Sequence, residues 1–191
     1  AYEIYQCDWS SDVCSSDLIA LGDFDAAAMH AANIGKAKGN GPAWEAYVRG
    51  RSSYAADHHD EALTALREAS MAASATDAPI PQLHLYLGHV LTRLTQYDEA
   101  AMEYRRELEL FPQSLDAYEG VAAMYHAADR DADIESVVKD LLEAHPTVAG
   151  YAVAVRIWTT AGERRTAEAL RGEARRRFKG DPALPLLGRA R

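Results

Sequence analysis

Histidines and carboxylates are the residues of this chain whose spacing could support metal chemistry. Residues 58–61, HHDE, offer two imidazoles and two carboxylates, which are ligand types of zinc sites. Two adjacent histidines do not share one face of a helix, and no H-x3-H spacing follows them. We therefore interpret this segment as a solvated turn before a helix.

Three more histidines, His84, His89 and His126, lie in apolar stretches with helical spacing, and could converge with Asp116 or Glu119 on a metal. No reliable third ligand accompanies them, so we prefer packing and surface lining as their role. The sequence contains no nucleophile elbow, P-loop or GxGxxG motif. We expect a protein that is not an enzyme, with no catalytic residue, no metal and no cofactor.

The first eighteen residues, AYEIYQCDWSSDVCSSDL, differ in style from the Ala-rich sequence that follows. Back-translated, they resemble an indexed sequencing-library adapter from end to end, with a barcode gap over residues 4–7. We interpret residues 1–18 as adapter-derived and not native, so that the native N-terminus is missing and the compartment, cytoplasmic or exported, stays open. The C-x6-C pair of Cys7 and Cys14 is then neither a disulfide nor a metal site.

Charge is distributed unevenly along the remaining sequence. Without the four acidic residues of the first eighteen, 25 acidic residues stand against 20 basic ones, a net charge of −5. Residues 151–191 hold ten Arg or Lys and four acids, and the basic stretch 163–179 has Phe178 as its one aromatic residue. Single-stranded nucleic-acid binding uses interleaved aromatic rings, so we do not expect it here. We interpret this helix as the polar face of a capping repeat, with self-association as an alternative.

No apolar run approaches the roughly 18 residues that a membrane span needs, so we expect no membrane segment in this chain.

A sequence repeat determines where the histidines, carboxylates and basic residues lie in the chain. Small or apolar residues recur in five similar segments and are spaced by 35, 38, 34 and 33 residues, a period of about 34. We call them the anchor positions: Ala27, Ala62, Ala100, Ile134 and Ala167. Two antiparallel helices of this length cannot bury their apolar stripes alone, so each pair must pack on the next.

The segments before the anchors supply the first helix of each pair. Residues 83–94, LHLYLGHVLTRL, place Leu87 and Gly88 together, and residues 115–128, LDAYEGVAAMYHAA, place Val121 and Ala122 in the same positions. These segments resemble the first helix of a tetratricopeptide repeat, W-x2-L-G-x2-Y, and Ala100 with Tyr104 resembles its A-x3-F.

Prolines and one irregular unit complete the pattern. Pro112 and Pro146 match the closing proline, while Pro182 comes three residues late, so we expect the last helix to run nearly a turn longer. In the second unit Arg49, Gly50 and Ser53 stand where Leu, Gly and Tyr are expected. We interpret its first helix as shifted onto other residues, namely Trp44, Tyr47, Val48 and Tyr54.

The resemblance to tetratricopeptide-repeat proteins implies an all-α, right-handed α-solenoid of antiparallel helix pairs. We expect about five units, the first truncated, in a repeat domain over residues 19–182, followed by a C-terminal cap over residues 183–191. The expected units are residues 19–40, 43–78, 81–112, 115–146 and 148–182.

The resemblance also implies a non-catalytic scaffold that binds a protein or peptide in the concave groove of the first helices. The groove-facing candidates are Tyr47, Arg51, Tyr54, Leu85, His89, Arg93, Glu119, Ala123, His126 and Arg156. These aromatic and arginine residues favour an extended peptide with apolar side chains and at least one carboxylate, bound at micromolar strength.

Two other functions occur among proteins with such repeats. Members that clamp the C-terminal carboxylates of chaperones carry Lys, Arg and Asn where this chain has Leu85, Glu119 and Ala123, so that function is not expected. The alternative to a scaffold is the C-terminal repeat module of a larger hydrolase or transferase, with its catalytic domain upstream.

Overall fold

A computed structural model describes residues 41–188 together with Ala26 and Met29, which are helical. The chain divides into two compact units, residues 1–111 and residues 112–191, which we call unit 1 and unit 2. Residues 1–18 lie outside the described residues, as do residues 19–40 except for Ala26 and Met29. The interpretation of the adapter-like segment and of the truncated first repeat therefore stays a prediction.

Unit 1 contains two helical pairs in its described part. The four helices are α1 (Gly41–Ala55), α2 (His59–Ala75), α3 (Leu83–Arg93) and α4 (Tyr97–Leu110). Short turns join α1 to α2 and α3 to α4, and the helices of each pair pack on each other. Helix α3 also packs on α1 and α2, so the second pair stacks on the first.

Unit 2 repeats this arrangement. Its helices are α5 (Leu115–Ala127), α6 (Ile134–Ala144), α7 (Val148–Thr160) and α8 (Arg164–Arg177), with short 3-10 turns at Asp131–Asp133 and Leu184–Leu187. Helix α7 packs on both α5 and α6. The described residues are thus all-helical, as the sequence predicts, and contain no strand.

Four of the five anchor positions lie in the core of the two units, and the fifth, Ala27, lies outside the described residues. Ala62, Ala100, Ile134 and Ala167 are all buried, with at most 2 % of their surface exposed. Five residues before each anchor, the turn between paired helices holds a residue in the left-handed region: Asp57 (φ 60°), Thr95 (φ 60°), Asp129 (φ 55°) and Gly162 (φ 81°). The repeat therefore fixes the turn conformation as well as the core contact.

Glycines allow the paired helices of unit 1 to approach closely. A Cβ atom built on Gly88 would lie 2.6 Å from Cε1 of Tyr104, and one built on Gly50 would lie 2.6 Å from Cγ of Leu66. Gly50 precedes its anchor by the same twelve residues as Gly88 does. The predicted shift of the first helix in the second repeat is therefore wrong, because the glycine keeps its place, while exposed Arg49 and half-buried Ser53 replace the leucine and the tyrosine.

The predicted longer last helix is also wrong. Helices α4, α6 and α8 end at Leu110, Ala144 and Arg177, each ten residues after its anchor. The three residues by which Pro182 comes late are absorbed after the helix, where Gly180 takes a φ of 89°. Core packing therefore determines where these second helices end, and the position of the proline does not.

No helix of the described part is long and apolar enough to span a membrane.

Candidate ligand-binding faces

An aromatic cluster lies between α1 and α3 in unit 1, and we define it as Tyr54, Tyr86, His89 and Tyr104. The ring of Tyr54 stacks on the ring of His89 at 6.2 Å with an interplanar angle of 18°. Tyr86 meets both rings edge-on, at 5.6 Å from Tyr54 and 5.5 Å from His89. Nδ1 of His89 lies 2.9 Å from the Tyr104 hydroxyl, which joins the cluster to α4.

Arg51 lies beside this cluster on α1. Its guanidinium carbon lies 3.6 Å from the centre of the Tyr86 ring, which is cation–π geometry. Its Nη1 donates to the Tyr47 hydroxyl at 2.8 Å and to Oε1 of Gln82 at 3.5 Å. Burial raises the pKa of Tyr47 to about 12, although the charge and hydrogen bond of Arg51 act against that rise.

The six candidates of unit 1 differ in their access to solvent. Tyr47, Arg51 and Leu85 are buried, Tyr54 and His89 are half-buried, and Arg93 is exposed at the end of α3. The structure brings Tyr47, Arg51, Tyr54 and His89 together around Tyr86. Tyr86 is not among the residues predicted for this face, although it stands three residues before His89, a spacing that puts both on one helix face.

Glu107, also missed, is a buried carboxylate on α4. It accepts hydrogen bonds from the backbone N–H of Gln82 at 2.8 Å and of Leu85 at 3.3 Å, so it caps the first turn of α3. Burial raises the pKa of its carboxyl, and the two backbone N–H groups act against that rise. The signal in the sequence is an acidic residue at a repeat position that holds Leu141 and Ala174 in the other pairs.

In unit 2, Arg156 on α7 and Glu119 on α5 form a bidentate ion pair. Nη2 donates to Oε2 at 2.6 Å, and Nε donates to Oε1 at 3.2 Å. The hydrogen bonds that Arg156 donates to Glu119 raise the pKa of its guanidinium. The sequence places both residues on the groove, and the structure brings them together.

A small apolar cavity of about 70 Å³ lies beside this pair, within unit 2. Glu119, Ala123 and His126, all predicted groove residues, line it. Its apolar wall comes from Ala122, Ile134 and Ile157. The cavity is about half the size of one that holds benzene, so it suits a short aliphatic side chain better than an aromatic ring.

The histidines have separate partners. Nδ1 of His84 lies 2.6 Å from Oε2 of Glu103, and Nδ1 of His126 lies 2.8 Å from Oδ1 of Asp131. Across residues 41–188, no group of three or more His, Cys, Asp or Glu side chains is arranged to hold a metal ion.

The basic helix α8 holds the end of the described chain. Nε of Arg171 donates to the carbonyl oxygen of Leu187 at 3.0 Å, and Nη2 of Arg175 donates to that of Gly188 at 3.2 Å. Leu187 is buried in the same cluster as Tyr151 and Ala174. These arginines therefore support a C-terminal segment that covers apolar surface of α7 and α8.

Comparison with known proteins identifies the fold. No protein-family model and no curated protein matches the chain. Solved structures do. MamA matches with a TM-score of 0.56 and 16 % identity over 86 % of this chain and 93 % of its own. TTC0263, a thermophilic TPR protein of Thermus thermophilus, matches with a TM-score of 0.58 and 16 % identity over 90 % of this chain and 92 % of its own.

YrrB, described as a TPR protein with an unusual peptide-binding site, gives a TM-score of 0.52 and 18 % identity over 90 % of this chain and 86 % of its own. At these identities the likeness concerns the backbone arrangement alone. The helix pairs, buried anchors and repeated left-handed turns agree with it, and the chain has the tetratricopeptide-repeat fold.

Proposed function

We propose that the chain is a non-catalytic module that binds a protein or peptide through the first-helix faces of its repeats. These faces belong to α1 and α3 in unit 1 and to α5 and α7 in unit 2. The fold is compatible with such a role, and YrrB provides one example of a TPR protein with a peptide-binding site.

The observation that carries the proposal is the aromatic cluster. Tyr54, Tyr86 and His89 pack edge-on and face-on against each other and are only half-buried. The cluster therefore keeps part of its ring surface accessible. Aromatic side chains dominate the energy of protein interfaces because they bury much apolar area at a small entropic cost.

The proposed partner is an extended peptide with apolar side chains and at least one carboxylate. Within unit 1, the cluster offers apolar ring surface, and Arg93 supplies an exposed positive charge. A single extended peptide buries less area than a stable protein–protein interface, so we expect micromolar binding.

The test is selection of binders from a random dodecapeptide display library on the purified chain, followed by calorimetric titration of the recovered peptides. Tyr54→Ala combined with Arg93→Ala should weaken binding at least about tenfold, because it removes an aromatic anchor and an exposed charge from the same face. Replacing Tyr47 and Arg51 would be a poorer first test, because both are buried and their loss would also disturb packing.

The matched control is Tyr97→Ala combined with Arg105→Ala, which removes the same residue types from α4 in the same unit. Tyr97 is half-buried and Arg105 is exposed, as Tyr54 and Arg93 are. The control should bind peptides like the parent. Equal loss in both double variants, or no loss in either, would contradict the proposed face.

A further inference from the structure

Most Arg and Lys side chains at the C-terminal end of unit 2 have no acidic partner. Within the described part of unit 2, the Arg and Lys residues that precede α8, namely Arg130, Lys139 and Arg156, each form an ion pair. Across residues 164–179 only Arg171 does so, with Glu168. The other basic side chains of that stretch are all exposed: Arg164, Arg165, Arg175, Arg176, Arg177 and Lys179. Within the described residues, no ion pair therefore neutralises their charge.

Four of these arginines lie on one side of α8. Arg175 and Arg176 follow Arg164 and Arg165 by eleven residues, which is about three helical turns or roughly 16 Å along the helix axis. The side of the helix that packs on α7 is buried, whereas these four side chains are exposed. We call them the basic face of α8.

An exposed leucine lies beside this face. Leu186 is 62 % exposed and is the one exposed large apolar side chain in the described part of unit 2. Its segment is held on α8, because Arg171 donates to the carbonyl oxygen of Leu187 and Arg175 donates to that of Gly188. Leu187 is buried, so this turn presents Leu186 to solvent next to the guanidinium groups.

We propose that the basic face of α8 and Leu186 dock on the surface of a membrane that contains anionic phospholipids. The guanidinium groups donate paired hydrogen bonds to the phosphate and carboxylate oxygens of the headgroups. Leu186 enters the boundary between headgroups and acyl chains, where interfacial helices place their apolar residues. Clusters of four or more basic residues on a helix are typical of proteins that bind such lipids. This surface lies apart from the first-helix faces and adds a second binding surface to the chain.

Nucleic acids and proteins fit this surface less well. Phe178, the one aromatic residue of residues 163–179, is half-buried and packs edge-on against Tyr151 at 5.6 Å, so it does not serve as a stacking platform for bases. A protein partner, including a second copy of this chain, requires an apolar interface core that Leu186 alone does not supply. One apolar anchor among several cations is sufficient for reversible binding to a lipid surface.

The test is co-sedimentation of the purified chain with vesicles of phosphatidylcholine that contain about 30 % phosphatidylserine, with pure phosphatidylcholine vesicles as the reference. The parent chain should bind the anionic vesicles and not the neutral ones. Added salt should release it, because ions screen the attraction. Absence of binding to the anionic vesicles, or equal binding to both kinds, would overturn the inference.

The basic face is tested by Arg165→Gln combined with Arg176→Gln. Both residues are exposed, so the variant should keep its fold. Each basic residue near an anionic surface strengthens binding roughly fivefold, so this variant should bind the anionic vesicles at least about tenfold more weakly. The matched control is Arg105→Gln combined with Arg106→Gln, which removes the same charge from exposed positions of α4 and should bind like the parent. Equal losses in both variants would show that net charge and not this face is responsible.

Leu186→Ser distinguishes a membrane from other polyanions. It should weaken binding to the anionic vesicles about fivefold, because the leucine no longer leaves water on docking. Vesicle binding that Leu186→Ser leaves unchanged, or single-stranded DNA that binds more tightly than the vesicles, would contradict a membrane partner. So would a dimer in sedimentation velocity that Arg165→Gln with Arg176→Gln dissociates, if the parent ignores the vesicles.

The proposed peptide-binding function is tested separately. Tyr54→Ala combined with Arg93→Ala should bind the vesicles like the parent, because neither residue belongs to unit 2. Loss of vesicle binding in that variant would contradict the assignment to α8, whereas failure of library peptides to bind bears on the first-helix faces alone.

Discussion

The two units place an arginine on the same kind of helix face and balance its charge in different ways. In unit 2, Arg156 is half-exposed and held by the carboxylate of Glu119 on the neighbouring first helix. In unit 1, Arg51 is buried against Tyr86 and hydrogen-bonded to neutral oxygens. The repeat sets where each arginine stands, and the neighbouring helix decides what chemistry it can do.

A second position shows the same contrast. Seven residues after the anchor, unit 2 holds Leu141, fully buried in its core, and unit 1 holds the buried carboxylate of Glu107. In unit 2 the start of α7 is capped instead by Thr147, whose Oγ1 accepts from the backbone N–H of Gly150. At this position the second pair of unit 1 thus carries a carboxylate where both pairs of unit 2 carry an apolar side chain.

The largest expected effect concerns helix approach in unit 1. Gly88→Leu should lower the free energy of unfolding by about 3 kcal/mol, because the new side chain would overlap the Tyr104 ring. Gly172→Leu in α8 is the matched control, since a Cβ there would lie 3.5 Å from one guanidinium nitrogen of Arg176. Urea unfolding followed by circular dichroism measures both. Equal effects would mean that Gly88 is not a packing position.

The next effect concerns Glu107. Glu107→Gln should cost about 2 kcal/mol at acidic pH, because the amide nitrogen has no lone pair and cannot accept the second backbone hydrogen bond at the start of α3. Glu109→Gln, an exposed change on the same helix, should have almost no effect. Urea unfolding at a series of pH values is the measurement.

The difference in the free energy of unfolding between the parent chain and Glu107→Gln should change with pH in one direction. The folded pKa of Glu107 is raised above 4.5, so its protonated form is favoured in the native state. The contribution of this protonation to the free energy of unfolding is fully present below pH 4.5 and is lost as pH rises through the folded pKa. The stability advantage of the parent over Glu107→Gln should therefore shrink as pH rises from 4.5. An advantage that grows with pH would contradict the raised pKa.

The smallest effect concerns the left-handed turns. Thr95 is β-branched and holds a φ of 60°, whereas unit 2 uses Gly162 at the equivalent place. Thr95→Gly should stabilise the chain by about 0.5 kcal/mol, because relief of the left-handed strain exceeds the entropy that glycine loses. Gly162→Thr should destabilise it by about 1 kcal/mol. Thermal melts of both variants test the reciprocity, and changes of the same sign would refute it.

The sequence predicts the fold because local features of the sequence mark the helices of each repeat. The spacing of the anchors marks the second helix of each pair, and Gly88 marks the first helix of its own pair, before any contact is known. Gly50 occupies the same position as Gly88, but the sequence prediction shifted that helix onto other residues. The end of α8 was not predictable from Pro182, because a proline limits how far a helix can run without fixing where it stops. That end depends on core contacts such as those of Ala174.

The candidate binding faces were less predictable. Periodicity puts Arg51 and Tyr54 on one helix, but it does not show that Tyr86 would cover the guanidinium of Arg51. The role of Glu107 was missed for a related reason, since a carboxylate in a repetitive helix is usually solvated. Burial of such groups depends on neighbours that lie 22 or more residues away in the chain.

The stacking of short helix pairs also bears on how fast the chain folds. Within the described part of each unit, every helix packs on helices one or two places away along the chain. Contacts of such short sequence separation are closed with little loss of chain entropy, and proteins rich in them fold in microseconds to milliseconds. Each unit can therefore form its pairs soon after they leave the ribosome, so that apolar helix faces such as that of α7 are exposed only briefly.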